Sequence, residues 1–317
     1  MEITEEIKKR LESLTEKYAV MGQDLNSYLD GLLYADYLTY WDYIHLDTLL
    51  SLQTPRTSFP DEQIFIIYHQ ITELYFKLCL HELEQIAGAA PEVSHITKRV
   101  ERVNRYFGNL TQSFEVMVEG MERDQFLKFR MSLLPASGFQ SAQYRMVEIY
   151  ATDFGNLIDK DHRQRFSENP DVPIEEQFEF IYWKAGATEL SSGKKTLTLD
   201  QFEKKYTKML VELAQKNRTR NLHHLYRELE STGTDVSGLR TALRKLDMLV
   251  NVNWPLAHYK SAVRYLHRDP EDIKATGGTN WQKYLPPRFQ KRIFYPALWS
   301  AEELENWGKS WVEETFR

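Results

Sequence analysis

The chain has 317 residues, of which 42% are hydrophobic, 27% charged and 13% aromatic, a mix typical of a globular protein with a substantial core. The formal net charge of −6 argues against a nucleic-acid-binding protein, which would normally carry a basic patch. No apolar run approaches the roughly 20 residues needed to cross a bilayer, so we expect no membrane span.

The N-terminus and the cysteine content indicate the compartment. The first residues, MEITEEIKKRLESL, are charged and amphipathic, unlike a signal peptide. A single cysteine, Cys79, excludes a disulfide framework and a cysteine-rich metal site. We therefore expect a cytoplasmic protein.

Apolar residues recur at intervals of three or four along most of the chain, which predicts helices. The first predicted helix covers residues 3–19, the second 61–86 and the third 97–120. The second is expected to be a long buried helix whose apolar stripe lies at positions 64, 67, 71, 74, 78 and 83.

A shorter helix is predicted over residues 125–134, with Asp124 as its N-cap. Pro135 and Gly138 break it, and another helix is expected to begin near Phe139. Further helices are predicted near 173–185, 199–216 and 236–267.

No convincing alternating strand pattern interrupts these helices. The sequence predicts an all-α fold, as one large helical domain over residues 1–317. Within it, residues 1–35 form an N-terminal helical extension, and residues of about 155–235 form a divergent helical insertion. The sequence also lacks GxGxxG and GxxxxGK[ST], so neither a dinucleotide fingerprint nor a Walker phosphate loop is expected.

Two of the nine histidines lie in apolar helical surroundings. His69 is in FIIYHQITELYFKL, and His258 is in NWPLAHYKSAVRYL. A buried imidazole needs a hydrogen-bond partner or it costs stability. A lone histidine on a helix wall is how many haems are held, although most histidines are surface residues or hydrogen-bonded core residues.

Arg130 stands at the end of a predicted helix, in FLKFRMSLLPASGFQS. A guanidinium beside a chain break can hold a carboxylate through two parallel hydrogen bonds. The same position also suits a helix-terminal cation that offsets the helix dipole. The residues alone leave both interpretations open.

Three segments together resemble the tryptophan 2,3-dioxygenase family: LTYWDYIHLDTLL (38–50), FIIYHQITELYFKLCLHEL (65–83) and FLKFRMSLLPASGFQSAQYRMVE (126–148). A thinner resemblance follows in the histidine helix, where Arg264 comes six residues after His258, and in the Thr-Gly-Gly at 276–278.

The resemblance implies a b-type haem, ferrous in the active form, with His258 as its proximal ligand. It implies that His69, on the distal side, accepts or shares the indole N–H, and that Phe65 walls the indole pocket. It further implies that Arg130 pairs with the substrate carboxylate, beside Phe126, which contributes no hydroxyl where some relatives have tyrosine.

Other matched positions receive roles in the same way. Ser137 and Gly138 are expected to shape the backbone beside the haem, and Thr276 to contact the substrate ammonium group. Tyr40, Tyr43 and Ile44 match a segment that reaches into a neighbouring subunit's site, which implies a homo-oligomer and most simply a homotetramer.

The expected reaction is oxidative cleavage of the indole C2–C3 bond of L-tryptophan by O2, giving N-formyl-L-kynurenine in tryptophan catabolism along the kynurenine pathway. The alternative is a family-related haem oxygenase acting on a substituted indole or another aromatic amino acid. Departures from the family pattern at Trp41, Asp42 and the spacer 265–275 are compatible with that alternative. Pro255, three residues before His258, is expected to kink the helix or to mark a new start.

Overall fold

The computed structural model describes residues 3–35, 39–132, 139–169, 172–187, 194–265 and 286–308. The chain divides into two compact units, Met1–Thr54 and Pro55–Arg317. The regular elements of the described residues are helices, apart from an isolated β-bridge between Ile158 and Ile181. The all-α fold class is therefore confirmed. Among these residues, no helix combines the length and apolar character required to cross a membrane.

The described residues of the first unit form four helices: α1 (Glu5–Val20), α2 (Leu25–Tyr34), α3 (Tyr40–Tyr43) and α4 (Leu46–Leu50). Helix α1 begins where the Thr4 hydroxyl accepts a hydrogen bond from the backbone N–H of Ile7. The rings of Tyr18 and Tyr28 stack at 4.2 Å between centroids and join α1 to α2.

The other helices of the described residues belong to the second unit. Those in its first half are α5 (Asp61–Gly88), α6 (Val93–Ser113), α7 (Glu115–Glu119), α8 (Arg123–Ser132), α9 (Ala142–Ala151), α10 (Arg163–Ser167) and α11 (Ile174–Phe178). Those in its second half are α12 (Tyr182–Ala185), α13 (Leu197–Lys216), α14 (Leu222–Ser231), α15 (Ser237–Met248), α16 (Trp254–Tyr265), α17 (Pro287–Gln290) and α18 (Ala301–Glu305). A π-helical turn, Leu249–Asn253, joins α15 to α16, and short 3₁₀ turns cover Phe154–Leu157 and Pro296–Leu298.

The core of the second unit forms where α5 packs against α6 and α9, and α6 against α15. Helix α6 has the clearest pattern, because its buried residues repeat every three or four positions: Ile96, Val100, Val103, Phe107 and Leu110. Each such side chain contributes roughly 1.5–3 kcal/mol by leaving water. The carboxylate of buried Glu82 on α5 adds ion pairs to Arg99 (2.8 Å) and Arg102 (3.1 Å) on α6.

The stripe predicted to be buried on α5 is largely wrong. Ile67, Ile71, Leu74 and Leu78 are 40%, 40%, 48% and 44% exposed, while Leu83 is buried. The buried face instead carries Tyr68, Thr72, Phe76, Cys79, Leu80, Leu83 and Ile86. The helix has apolar residues on two faces, so periodicity alone does not select the face that α6 and α9 cover.

The predicted N-cap Asp124 is also wrong. Helix α8 begins at Arg123, and Asp124 lies in its first turn. A hydrogen bond from outside the segment stabilises the start of the helix. The Asp61 carboxylate accepts it from the backbone N–H of Glu122 at 2.6 Å. A cap supplied across 61 residues of sequence leaves no local signal.

Other boundaries differ in smaller ways. The helix predicted over 97–120 is divided at Phe114, and that over 173–185 becomes two short helices. Helix α14 was not among the predicted helices. It begins at an N-cap, Asn221, whose side chain accepts from the backbone N–H of His224. The proposed division into one domain, an extension and an insertion stays a prediction.

Candidate active site

Residues far apart in sequence meet where α8 packs against both α5 and α16. Helix α5 carries His69, α8 carries Arg130 and α16 carries His258. Tertiary packing therefore brings all three predicted residues to one region of the second unit.

His258 is held by its own helix. Its Nδ1 lies 3.0 Å from the carbonyl oxygen of Trp254, and the ring packs 4.4 Å from the rings of Phe114 and Trp254. Because a carbonyl only accepts, Nδ1 donates, and in the neutral ring Nε2 keeps its lone pair. Burial lowers the pKa of His258 to about 4, so the ring is neutral near pH 7.

His69 repeats this arrangement on α5. Its Nδ1 donates to the carbonyl oxygen of Phe65 at 2.7 Å, and its ring lies 4.0 Å from the Phe65 ring. The side chain is exposed, not buried as the sequence predicted. Desolvation by the surrounding protein nevertheless lowers the pKa of His69. His69 is therefore a neutral imidazole near pH 7, with part of its ring exposed.

The two histidines lie within electrostatic reach of each other. After desolvation, the charge of His69 is a further cause that lowers the pKa of His258. Like charges act in this direction, since a second proton is harder to place beside the first. Within the part of the chain that the structure describes, neither imidazole has a hydrogen bond at Nε2, and the two rings lie in one neighbourhood.

An aromatic wall adjoins His69. Phe65 lies 6.3 Å from Phe126 and 5.6 Å from Phe129, and Phe126 lies 4.6 Å from Tyr265 on α16. These rings form one apolar cluster, in which Phe126, Phe129 and Tyr265 are buried and Phe65 is half-buried. Phe65 and Phe126 were predicted from the sequence, but Phe129, which lies three residues after Phe126 and is fully buried, was not.

Arg130 lies one turn after Phe126, in the last turn of α8. Its guanidinium is half-buried and stands 5.4 Å from the centre of the Phe126 ring. This contact orients the cation along the aromatic wall. A cation at a helix C-terminus also offsets the helix dipole. The geometry is therefore compatible with both interpretations of Arg130.

Pro255 neither ends the helix nor starts a separate one. The chain passes from α15 through the π-helical turn into α16 without a break, and the backbone N–H of Trp254 donates to Leu249, five residues back. A proline lacks the N–H that a regular helix needs at that point, and a π turn is one way to accommodate it. His258 follows one turn later.

The remaining predicted residues lie either in the first unit or outside the described residues. Tyr40 and Tyr43, on α3 of the first unit, are 71% and 74% exposed, and Ile44 follows them half-buried. Ser137, Gly138 and Thr276 lie outside the described residues.

The rings that flank His258 were missed by sequence reasoning. Phe114 and Trp254 are both buried and lie 5.2 Å apart, edge to face. Trp254 could have been found, because it stands one turn before His258 in an apolar helix. Phe114 comes from the end of α6, and nothing in its local sequence relates it to position 258.

Comparison with known proteins places these observations in a family. A family model described as Tryptophan 2,3-dioxygenase matches residues 34–221, which is more than half of the chain. A tryptophan 2,3-dioxygenase of Ruegeria sp. (strain TM1040) is 41% identical over 117 residues, covering 36% of this chain and 42% of that relative. One from Pseudomonas fluorescens is 29% identical over 283 residues, covering 84% and 91%. The alignment with the higher identity covers less than half of its relative's length, and the alignment with the lower identity covers nearly all of its relative's length.

Proposed function

Because the chain belongs to the tryptophan 2,3-dioxygenase family, we propose that it cleaves the indole ring of L-tryptophan with O2 to give N-formyl-L-kynurenine. The observation that carries this proposal is the pair of neutral imidazoles, each with Nδ1 bound to its own helix and with no partner for Nε2 among the described residues. His258 would bind the iron, and His69 would accept a hydrogen bond from the substrate N–H.

The residues around His258 fit a b-type haem. Iron ligation needs an unprotonated imidazole nitrogen, and the low pKa of His258 together with its Nδ1–H donor supplies one. Phe114 and Trp254 provide the apolar packing that a haem face requires. Ferrous haem, when bound, supplies the reactivity toward O2 that a closed-shell indole lacks.

The protein's own contribution is to hold the substrate. Phe65 and Phe126 form the wall against which the indole lies, and Nε2 of His69 accepts the indole N–H. Arg130 holds the carboxylate through its planar pair of donors. With both ends of the amino acid fixed, C2 and C3 are kept at the reacting position, and orientation of this kind lowers the entropic part of the barrier.

Product mass tests the proposal directly. Turnover of L-tryptophan under ¹⁸O2 is expected to give a product that contains two labelled oxygen atoms. A product with one labelled oxygen would instead establish the related hydroxylating chemistry, and no product together with no haem uptake would refute the proposal.

His69 is expected to support the rate without holding the cofactor. His69→Ala should keep haem at the parent stoichiometry and lower kcat/KM by about one to three orders of magnitude, the usual contribution of a positioned acid–base group. The matched control is His81→Ala, because His81 is also exposed on α5 but lies more than three turns away. Loss of haem from His69→Ala, with circular dichroism unchanged, would contradict the distal role.

The pH profile gives an independent readout of the same residue. The neutral form of His69 accepts the N–H, and its pKa lies below the ordinary 6.5 because of desolvation. Activity should therefore persist as pH falls through 6.5 and decline only at lower pH. An acid limb centred at or above pH 6.5 that disappears in His69→Ala would contradict this assignment.

We also propose that the protein is a homotetramer in which α3 of one subunit completes a neighbour's site. Exposed Tyr40 and Tyr43 support this, since large rings on a surface commonly mark an interface. Light scattering should give a multiple of the 37.5 kDa chain mass. An active preparation with the mass of one chain would refute the proposal.

Complementation between subunits is the sharper test. Arg130→Ala and the double variant Tyr40→Ala/Tyr43→Ala should each be weakly active alone. Co-expressed, they should regain activity, because some sites combine an intact core with an intact neighbouring α3. No gain over the separate variants would place the tyrosines outside the shared site.

A further inference from the structure

A buried polar network lies beneath the π-helical turn that precedes His258. Its centre is Arg292, which is 3% exposed and comes from the segment before the Pro296–Leu298 turn. Its Nη1 donates to the Glu148 carboxylate at 2.6 Å and to the Tyr182 hydroxyl, and its Nε donates to the Asn251 side chain. A buried cation is tolerated only when it is paired and hydrogen-bonded in this way.

Arg292 also hydrogen-bonds the π-helical turn itself. Its Nη2 donates to the Tyr144 hydroxyl at 2.8 Å and to the backbone carbonyl of Val250 at 3.0 Å. The Tyr144 hydroxyl in turn donates to the same carbonyl at 3.2 Å. One carbonyl oxygen thus receives two side-chain hydrogen bonds from outside its helix.

Pro255 explains why this carbonyl needs them. In an α-helical register, Val250 would accept from the N–H of Trp254, but that N–H donates to Leu249. In the π-helical register, Val250 would accept from residue 255, which is a proline and has no N–H. Buried carbonyls without a partner are costly, and here Tyr144 and Arg292 supply the missing donors.

The same turn orients His258. Trp254 donates its N–H into the π turn and accepts the Nδ1–H of His258 on its carbonyl oxygen at 3.0 Å. The peptide groups of this turn therefore set the direction in which the imidazole points. Groups that hold a ligand's hydrogen-bond partner tune its bond to the metal.

We propose that Tyr144 and Arg292 are positioning residues for His258, acting through the Val250 carbonyl that Pro255 leaves without a helical donor. This inference rests on the proposed function, in which His258 is the iron ligand. Tyr144 and Arg292 act on His258 through the backbone of the turn, without touching substrate or cofactor.

The experiment compares two tyrosines of one network in the haem-loaded full-length protein. Tyr144→Phe removes a hydroxyl bound to the Val250 carbonyl. The control Tyr182→Phe removes an equally buried hydroxyl, bound to Arg292, Arg145 and Glu148 but not to that carbonyl. Both variants keep the ring, so packing is matched.

We expect Tyr144→Phe to raise the haem dissociation rate by about two- to tenfold, the effect of one hydrogen bond, and to shift the iron–histidine stretching band of the ferrous protein. Tyr182→Phe should leave that band in place, even if it lowers the melting temperature of the protein as much as Tyr144→Phe does. Equal shifts, or no shift in either variant, would overturn the positioning role.

A double substitution provides a second test. Pro255→Ala restores an N–H to the turn, so the Val250 carbonyl regains a helical donor. In that background, Tyr144→Phe should change the band and the dissociation rate less than in the parent. An undiminished effect would overturn the proposal. Absence of an iron–histidine band in the parent itself would refute the proposed function instead, so the two failures are distinguishable.

Discussion

Replacing His258 with alanine is expected to abolish stoichiometric haem binding and, with it, all indole cleavage. The side chain is the proposed proximal ligand, and its unprotonated Nε2 is prepared for iron by a low pKa and by the hydrogen bond from Nδ1 to Trp254. Removing a sole protein ligand leaves only apolar contacts to retain the cofactor. The measurement is the Soret band of the purified protein and its haem-to-chain ratio.

Two controls separate ligation from folding. His69→Ala should retain the Soret band, and exogenous imidazole should restore haem to His258→Ala by entering the space left by the ring. A His258→Ala protein with a normal haem spectrum, alongside loss of haem in another histidine variant, would show that the ligand is misassigned.

Replacing Arg130 with alanine is expected to lower kcat/KM for L-tryptophan by two to three or more orders of magnitude. Truncating one partner of a buried charged pair costs about 3–5 kcal/mol, because the other partner stays desolvated without its counter-charge. Tryptamine lacks the carboxylate, so it should be a very poor substrate of the parent and far less sensitive to the substitution. The measurement is kcat/KM for both substrates on both proteins.

Arg130→Lys distinguishes the two interpretations of this residue. A cation that only offsets the helix dipole is worth about 0.3–1 kcal/mol, and lysine would preserve that contribution. Lysine does not reproduce the planar pair of donors that holds two carboxylate oxygens. A lysine variant with parent activity, or an alanine variant equally damaging to tryptamine, would make Arg130 a structural residue.

Helix α6 illustrates what a sequence can predict well. Its apolar residues occupy a single face, so periodicity identified the helix, and the face from Val100 to Leu110 is buried. Helix α5 illustrates the opposite case. Apolar residues occur on two of its faces, and only contact with α6 and α9 decides that Phe76 is buried while Leu74 is exposed.

The candidate site divides in the same way. His69, Arg130 and His258 could be selected from their local surroundings and from the family motifs. That the three lie in one region of the second unit depends on α8 packing against α5 and α16, which are separated by more than 160 residues of sequence. Phe114 and Arg292 escaped notice because their roles are defined by partners distant in the chain.

Sequence by itself determined the helical class and the family, and it supplied the proposed site residues, because periodicity and motifs are properties of neighbouring residues. Tertiary structure alone decided three features. These are the face of α5 that is buried, the Asp61 side chain that hydrogen-bonds the start of α8, and the donor that reaches the Val250 carbonyl in the turn before Pro255. In each of these cases a desolvated group obtains its partner from another segment. Burial and hydrogen bonding act through space, and the partner leaves no mark in the local sequence.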